Sequence, residues 1–420
     1  MTDFLKRPSL TPIPIEQPLR GRLTLPGSKS ITNRALLLAA LAKGSSRLSG
    51  ALKSADTHWM AEALRAMGVV VEEPDDSTFV VHSQGRLQTP SAPLFLGNAG
   101  TAMRFLTAAL ANSEGRVVVD GDEHMHKRPI EPLVRALRAL GLDISASNGC
   151  PPVTIEGRGR LKGGRMEIDG GLSSQYVSAL LMVAACAEGP CEVALLGSEI
   201  GARGYIDLTL AAMRAFGAEV EQVDEATWRV QPTGYQARDF AIEPDASAAT
   251  YLWAAEALSG GAIDLGMPAS EFTQPDARAK ALIDSFPDMP ALIDGAQMQD
   301  AIPTLAVLAA FNRTPVRFTG IANLRVKECD RIAALATELS RIRPGLAVEE
   351  GDDLLVAADP NLAGQHLPAR IETYADHRIA MSFALAALKI DGLEILDPAC
   401  VSKTYPGYWQ ALGQLGVRYR

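Results

Sequence analysis

Residues 94–115 read LFLGNAGTAMRFLTAALANSEG. A short apolar run meets a glycine-flanked polar turn, Gly97-Asn98-Ala99-Gly100. From Ala102 to Ala111 the chain is then largely apolar, interrupted by Arg104 and Thr107, before Asn112-Ser113-Glu114 leads to Gly115. The apolar stretch is long enough for about three to four helical turns and is apolar around most of its circumference, which marks a buried helix. The pattern returns as ITNRALLLAALA ending at Gly44, SSQYVSALLMVAACAEG at Gly189, DASAATYLWAAEALSG at Gly260, DAIPTLAVLAAFNR near Arg313 and DHRIAMSFALAALKIDG at Gly392. A glycine after five of the six reads as a helix stop.

A second unit, an amphipathic helix closing on glycine, alternates with the first: EALRAMG at Gly68, RALRALG at Gly141, AAMRAFG at Gly217 and ALGQLG at Gly416. The first three glycines lie 73 and 76 residues apart (141 − 68 and 217 − 141), a period that signals an internal repeat. β-branched or alternating runs such as Val69-Val70-Val71 and Ala218-Glu219-Val220 follow and read as strands. The expected fold is α/β, with three copies before about residue 240 and three after. The fourth is irregular, with Phe286-Pro287 where the others have glycine. Breaks fall at Pro18-Leu19-Arg20-Gly21 and at Phe240-Ala241-Ile242-Glu243-Pro244. They predict one lobe over 23–240 and a second over 1–22 plus 241–420, facing each other across a cleft.

The composition narrows the function. A chain of 420 residues that is 47% hydrophobic and 21% charged can bury large cores and is no polyelectrolyte. Its net charge, 40 − 49 = −9, argues against nucleic-acid binding, so an anionic ligand needs locally placed cations. MTDFLKRPSL lacks a signal-peptide core, and the run Ala179 to Ala187 is too short to span a bilayer. The five cysteines, Cys150, Cys186, Cys191, Cys329 and Cys400, form no CxxC and are expected as free thiols. No metal site or cofactor is expected. The reading is a cytoplasmic protein with small-molecule partners, bound to neither nucleic acid nor membrane, and a monomer.

The starts of the buried helices are where the chemistry gathers. A helix N-terminus presents free N–H groups and about half a positive charge. Here these starts also carry Ser28-Lys29-Ser30 with Asn33 and Arg34, Asn98 to Thr101 with Arg104, Ser173-Ser174-Gln175, Asp245, Asp300, and Asp376-His377-Arg378. Arg128, Lys327, Arg331 and Lys403 lie in connecting segments. One serine or aspartate at a helix start is an ordinary cap, and one arginine a turn in is usually solvated. Six apolar helices that all begin this way suit a multiply anionic small molecule.

Six motifs then carry a resemblance that runs from about residue 15 to the C-terminus. LPGSKSITNRALLLAALA, LFLGNAGTAMRFLTAAL, GGLSSQYVSALLM, NLRVKECDRI, YADHRIAM and DPACVSKTYPGYW resemble, in order, the motifs of the 5-enolpyruvylshikimate-3-phosphate synthase family. The resemblance implies two similar lobes of three βαβαββ-type repeats with buried parallel helices, an inside-out α/β barrel. It also implies transfer of the enolpyruvyl group of phosphoenolpyruvate to the 5-hydroxyl of shikimate 3-phosphate, by addition and elimination through a tetrahedral intermediate, with release of phosphate. Both substrates carry a carboxylate and a phosphate, which explains the demand for cations and N–H donors.

Carried over by motif, Lys29, Ser30 and Arg34 hold the shikimate carboxylate and hydroxyl side, with Lys29 reaching both substrates. Ser173, Ser174 and Gln175 bind the shikimate phosphate region with Asn323 and Lys327, and Tyr205 lies against the ring. Gly100 offers its backbone to phosphoenolpyruvate beside Asn98 and Thr101, with Gln175 also on that side. Arg128 and Lys403 face its phosphate, while Arg331 and Arg378 grip its carboxylate. Asp300, which also touches shikimate 3-phosphate, is the base toward the hydroxyl. Glu328 and Lys29 manage the proton at C3.

Three departures from the family pattern stand out. Phe105 replaces a common proline, which implies a shifted start of its helix and weaker inhibition by glyphosate, the family's phosphoenolpyruvate competitor. Ala202 replaces a frequent serine, with Arg203 as a candidate to compensate, and the stretch from Glu271 to Asp300 is short. The sister transferases acting on UDP-N-acetylglucosamine carry a reactive cysteine just before an Arg-Pro. The stretch Asp122 to Lys127 has none. A non-catalytic anion clamp would need the cations but neither Asp300 nor Glu328.

Overall fold

The computed structural model describes residues 4–171, 173–197 and 202–420; residues 1–3 and 198–201, Gly201 of GARGYIDLTL among them, and Leu172 of the third motif lie outside it. The chain forms two compact units, Gly27–Pro244, and Met1–Pro26 with Asp245–Arg420. The changeovers therefore come four residues later than the sequence breaks at 22/23 and 240/241. At the changeover Gly27 pairs with Pro244 in an isolated antiparallel bridge, and Ser28 N–H donates to the Glu243 carbonyl at 2.9 Å.

In the unit Gly27–Pro244 three buried helices, Lys29–Leu41, Gly100–Ala109 and Ser174–Ala184, each belong to one repeat. From Ile31 to Leu41 every residue of the first is buried. All three repeats build the same kind of sheet. Leu94–Phe95 runs parallel to Glu114–Asp120, whose other edge takes the antiparallel hairpin Asp143–Ser147 and Cys150–Arg158. Gly164–Asp169, Cys191–Leu196, Val220–Asp224 and Thr227–Val230 repeat that order. In the first repeat the parallel partner of Ala42–Ser49 comes from the chain's exit, Tyr235–Gln236 and Phe240–Ala241.

The second unit buries Ala246–Ser259, Ile302–Ala309 and His377–Ala387. Its fifth sheet, Leu292–Asp294, Val316–Thr319, Asp353–Val356 and Ala347–Glu350, follows the same order. In the sixth, Asp391–Leu396 pairs in parallel with His366–Ile371 and antiparallel with Ser9–Leu10. The fourth is reduced, among the described residues, to Arg20–Arg22 beside Ala262–Asp264. None of these sheets closes into a barrel.

Four of the six buried helices start on a side-chain cap. Ser28, Ser173, Asp245 and Asp376 accept from the N–H of Ile31, Gln175, Ala248 and Arg378, each cap worth about 1 kcal/mol. The glycine stops need correcting. Only Gly260, at φ 66°, caps its buried helix. Gly44, Gly115 and Gly392 lie within strands, and Gly189 follows a helix that ends at Ala184. The amphipathic helices do close as expected: Gly68, Gly141, Gly217 and Gly416 all follow the C-cap with φ between 81° and 100°.

Candidate active site

The N-terminal halves of the buried helices meet within each unit, so the helices of a unit run parallel. In Gly27–Pro244, Arg34 reaches from the first helix over the ring of Phe105 on the second, its guanidinium carbon 5.2 Å from the ring centroid. Arg104 of the second lies 5.3 Å over the ring of Tyr176 on the third. Arg104 also donates to Gln175 Oε1 at 2.9 Å and to the Gly100 carbonyl at 3.1 Å, while Gln175 Nε2 donates to Thr101 Oγ1 at 3.3 Å. Arg128 donates to Asn98 Oδ1 at 3.0 Å. Gly100 makes room for this pair of arginines. A Cβ there would lie 2.7 Å from the Arg128 guanidinium carbon and from Arg104 Nη1.

Two buried arginines of this unit lack a carboxylate partner among the described residues. Arg34 is 2% exposed, yet it donates only to neutral acceptors: Thr209 Oγ1, the Ser30 and Tyr205 carbonyls, and Ser178 Oγ. Burial pulls its pKa down to about 10. Among the described residues no carboxylate pairs with Arg34 or Arg104, and Arg104 Nε is a buried donor without an acceptor. Buried cations in such surroundings ask for an anion. Lys29 and Ser30 open the first helix, Ser173 and the buried Ser174 the third. Tyr205 stands in the first turn of Arg203–Ala215. That helix starts from Ala202, in the left-handed region at φ 54° with no side-chain cap. Arg203, the first residue of that helix, donates to the Glu225 carbonyl at 2.8 Å and lies over Trp228.

The second unit has the opposite balance. Arg331, 1% exposed, donates to three carboxylates: Asp300 at 3.0 Å, Glu328 at 2.7 Å and Asp376 at 2.8 Å. Arg378 takes the other oxygen of Asp300 at 2.7 Å, and Lys403 the other oxygen of Glu328 at 2.9 Å. Three cations thus face three carboxylates. Burial opposes the charge on Arg331, but Asp376, Glu328 and Asp300 outweigh it and keep the guanidinium protonated. Arg378 Nε is buried without an acceptor among the described residues. Asn323 donates to the side chain of Gln299, next to Asp300, and Lys327 follows, half-buried.

The sequence pointed to Asp376 and Arg104 only as features of helix starts. Asp376 does cap the sixth helix, through Arg378 N–H at 2.8 Å, but the same carboxylate is the third partner of Arg331. Arg104 links Gly100 to Gln175. The signal for both was their place one turn from a glycine or an arginine already singled out.

The fold is that of the enolpyruvyl transferases. The structure matches the enolpyruvyl transferase NikO from Streptomyces tendae with a TM-score of 0.72 and 18% identity over 98% of both chains. It matches EPSP synthase from Acinetobacter baumannii with a TM-score of 0.78 and 25% identity, covering 98% of this chain and 99% of the other. A family model for EPSP synthase (3-phosphoshikimate 1-carboxyvinyltransferase) matches residues 13–412. The 3-phosphoshikimate 1-carboxyvinyltransferases of Rhizobium leguminosarum bv. trifolii and Pseudomonas syringae pv. syringae are 70% and 71% identical, covering 98% and 97% of this chain and 98% of theirs. The chain belongs to the EPSP synthase family. It is a transferase that moves an enolpyruvyl group between small-molecule substrates in the shikimate pathway. No helix among the described residues is long and apolar enough to cross a membrane.

Proposed function

We propose the following roles in the transfer of the enolpyruvyl group from phosphoenolpyruvate to the 5-hydroxyl of shikimate 3-phosphate. Arg34, Lys29 and Ser30 hold the shikimate carboxylate and hydroxyl side. Ser173, Ser174 and Gln175, with Asn323 and Lys327, take its phosphate, and Tyr205 lies along the ring. Gly100 and Asn98 bind phosphoenolpyruvate with Gln175 and Lys29. Arg128 and Lys403 neutralise its phosphate, Arg331 and Arg378 its carboxylate. Asp300 removes the hydroxyl proton as oxygen attacks C2, while Glu328 with Lys29 delivers a proton to C3. The tetrahedral adduct then loses that proton and phosphate.

The observation that carries the reading is the way Asp300 and Glu328 share Arg331, each with one further cation on its other oxygen. A substrate carboxylate that takes over Arg331 and Arg378 frees Asp300 to act as a base. Phosphate release that requires both substrates tests the reaction, and its absence with both present would refute it. The protein is further proposed to be cytoplasmic, to bind neither nucleic acid nor membrane, and to be a monomer, the last of which light scattering at the 44.7 kDa chain mass checks.

Arg34→Met is expected to leave the ligand-free protein at least as stable, because a buried charge without a carboxylate is replaced by an apolar chain of similar length. The same variant should lose the rise in Tm that shikimate 3-phosphate gives the wild type. A preserved ligand-induced shift would remove Arg34 from the site.

Phe105 is fully buried under Arg34, so its ring has a task that the sequence did not indicate. Phe105→Pro is expected to strengthen glyphosate inhibition with little change in KM for phosphoenolpyruvate. It should also raise KM for shikimate 3-phosphate, since Arg34 loses its platform. Unchanged inhibition would make Phe105 a packing residue only.

A further inference from the structure

Directly ahead of Asp376 and Arg378 the chain passes through two successive non-glycine residues in the left-handed region, Tyr374 at φ 55° and Ala375 at φ 53°. A Cβ disfavours that conformation, and the backbone keeps it only where its surroundings impose it. The surroundings here are a carboxylate with no part in the proposed proton transfers. Glu338 lies on the helix Arg331–Ile342, about two turns beyond Arg331 on the same buried face.

Its side chain is fully buried and its acceptors are all engaged. Oε1 takes the Tyr374 hydroxyl at 2.7 Å, Oε2 takes Glu372 N–H at 3.2 Å, and Arg341 supplies the counter-charge at 2.8 Å. Glu372 in turn accepts Tyr374 N–H at 3.2 Å. Burial and the Glu338 carboxylate push the Tyr374 phenol up to about 12, so it is a donor at neutral pH. One helix therefore grips the segment Glu372–Arg378 twice: through Glu338 before the left-handed pair, and through Arg331 on Asp376 after it.

We propose that Glu338 and Tyr374 are positioning residues that hold this left-handed turn and thereby aim Arg378, and Asp376 with it, at the phosphoenolpyruvate carboxylate. The proposal rests on the reading of Arg331 and Arg378 as the grip on that carboxylate. If Glu338 lets go, Tyr374 and Ala375 relax toward the commoner right-handed or extended regions. The first turn of His377–Ala387 then turns with them.

The test is steady-state kinetics of the full-length protein, with each substrate varied in turn. Tyr374→Phe removes one hydroxyl and leaves the ring and the pairing of the buried Glu338 with Arg341 in place, so the fold survives. KM for phosphoenolpyruvate should rise about tenfold, the scale of a lost hydrogen bond to a charged group, with KM for shikimate 3-phosphate unchanged. Asparagine tolerates the left-handed region better than alanine, and position 375 is exposed. Adding Ala375→Asn to Tyr374→Phe should therefore recover most of the lost KM. A purely structural role would move both KM values together and show no rescue, and either pattern overturns the proposal. If the wild-type protein binds no phosphoenolpyruvate, the functional reading itself falls, and the positioning role falls with it.

Discussion

Asp300→Asn should lower turnover by about 10²-fold or more, the usual scale of a lost general base. Two changes follow from this one substitution, and they point in opposite directions. Asp300 bridges the guanidiniums of Arg331 and Arg378, with one oxygen on each. Asparagine keeps the shape but turns an amide toward one of the two guanidiniums, so the ligand-free protein should lose roughly 3 kcal/mol or more, as when a buried ion pair loses a partner. The same substitution removes the internal competitor for the two arginines. Phosphoenolpyruvate should then raise Tm more in the variant than in the wild type, with no increase in its KM. Phosphate release under saturating substrates, together with melting curves with and without phosphoenolpyruvate, checks both halves. Turnover near wild type would hand the hydroxyl proton to Glu328 or to the departing phosphate.

The second large effect is expected at Gly100. A methyl group there would stand 2.7 Å from both Arg128 and Arg104, well inside contact distance. The helix backbone cannot yield without dragging the Asn98–Gly100 turn, so the guanidiniums must move. Arg128 would leave Asn98, and Arg104 would pull Gln175 with it, which disturbs three of the groups assigned to phosphoenolpyruvate. Gly100→Ala should therefore raise KM for phosphoenolpyruvate by at least about tenfold, the equivalent of about 1.4 kcal/mol. KM for shikimate 3-phosphate should change less, because Gln175 is the one disturbed group of those assigned to it, while Arg34 and Ser173 are not among the clashing groups. Equal changes in the two constants would place the disturbance elsewhere.

The helices were legible because a polar start in front of a long apolar run has one structural meaning, and four of the six starts do cap. The misread glycines have a physical reason as well. Gly44 sits where the strand Tyr235–Gln236 comes alongside, and a Cβ would meet that of Ala237 at 2.9 Å. It serves a close approach between strands far apart in sequence, which no local pattern reveals. The cluster on Arg331 escaped for the same reason. Its carboxylates stand at 300, 328 and 376; the motifs give the first two roles toward the substrates and the third a place at a helix start, and nothing in the sequence places all three on one guanidinium. Six motifs pointed to the family; the pairing of Asp300 with both arginines had to come from coordinates.

The shortened fourth repeat has a consequence for how the molecule behaves among its own copies. In four sheets a hairpin covers the outer edge of the strand that follows the buried helix, and in the sixth Ser9–Leu10 does so. Ala262–Asp264 has no such neighbour among the described residues, which leaves a bare edge of the kind that recruits strands from other chains. The protein meets this with a charge. Glu256, from the fourth buried helix, accepts the outward N–H of Ile263 at 2.7 Å. A carboxylate can take that hydrogen bond but cannot extend the sheet, so an incoming strand finds the site occupied and negatively charged. A single side chain replaces the missing hairpin as a barrier to aggregation.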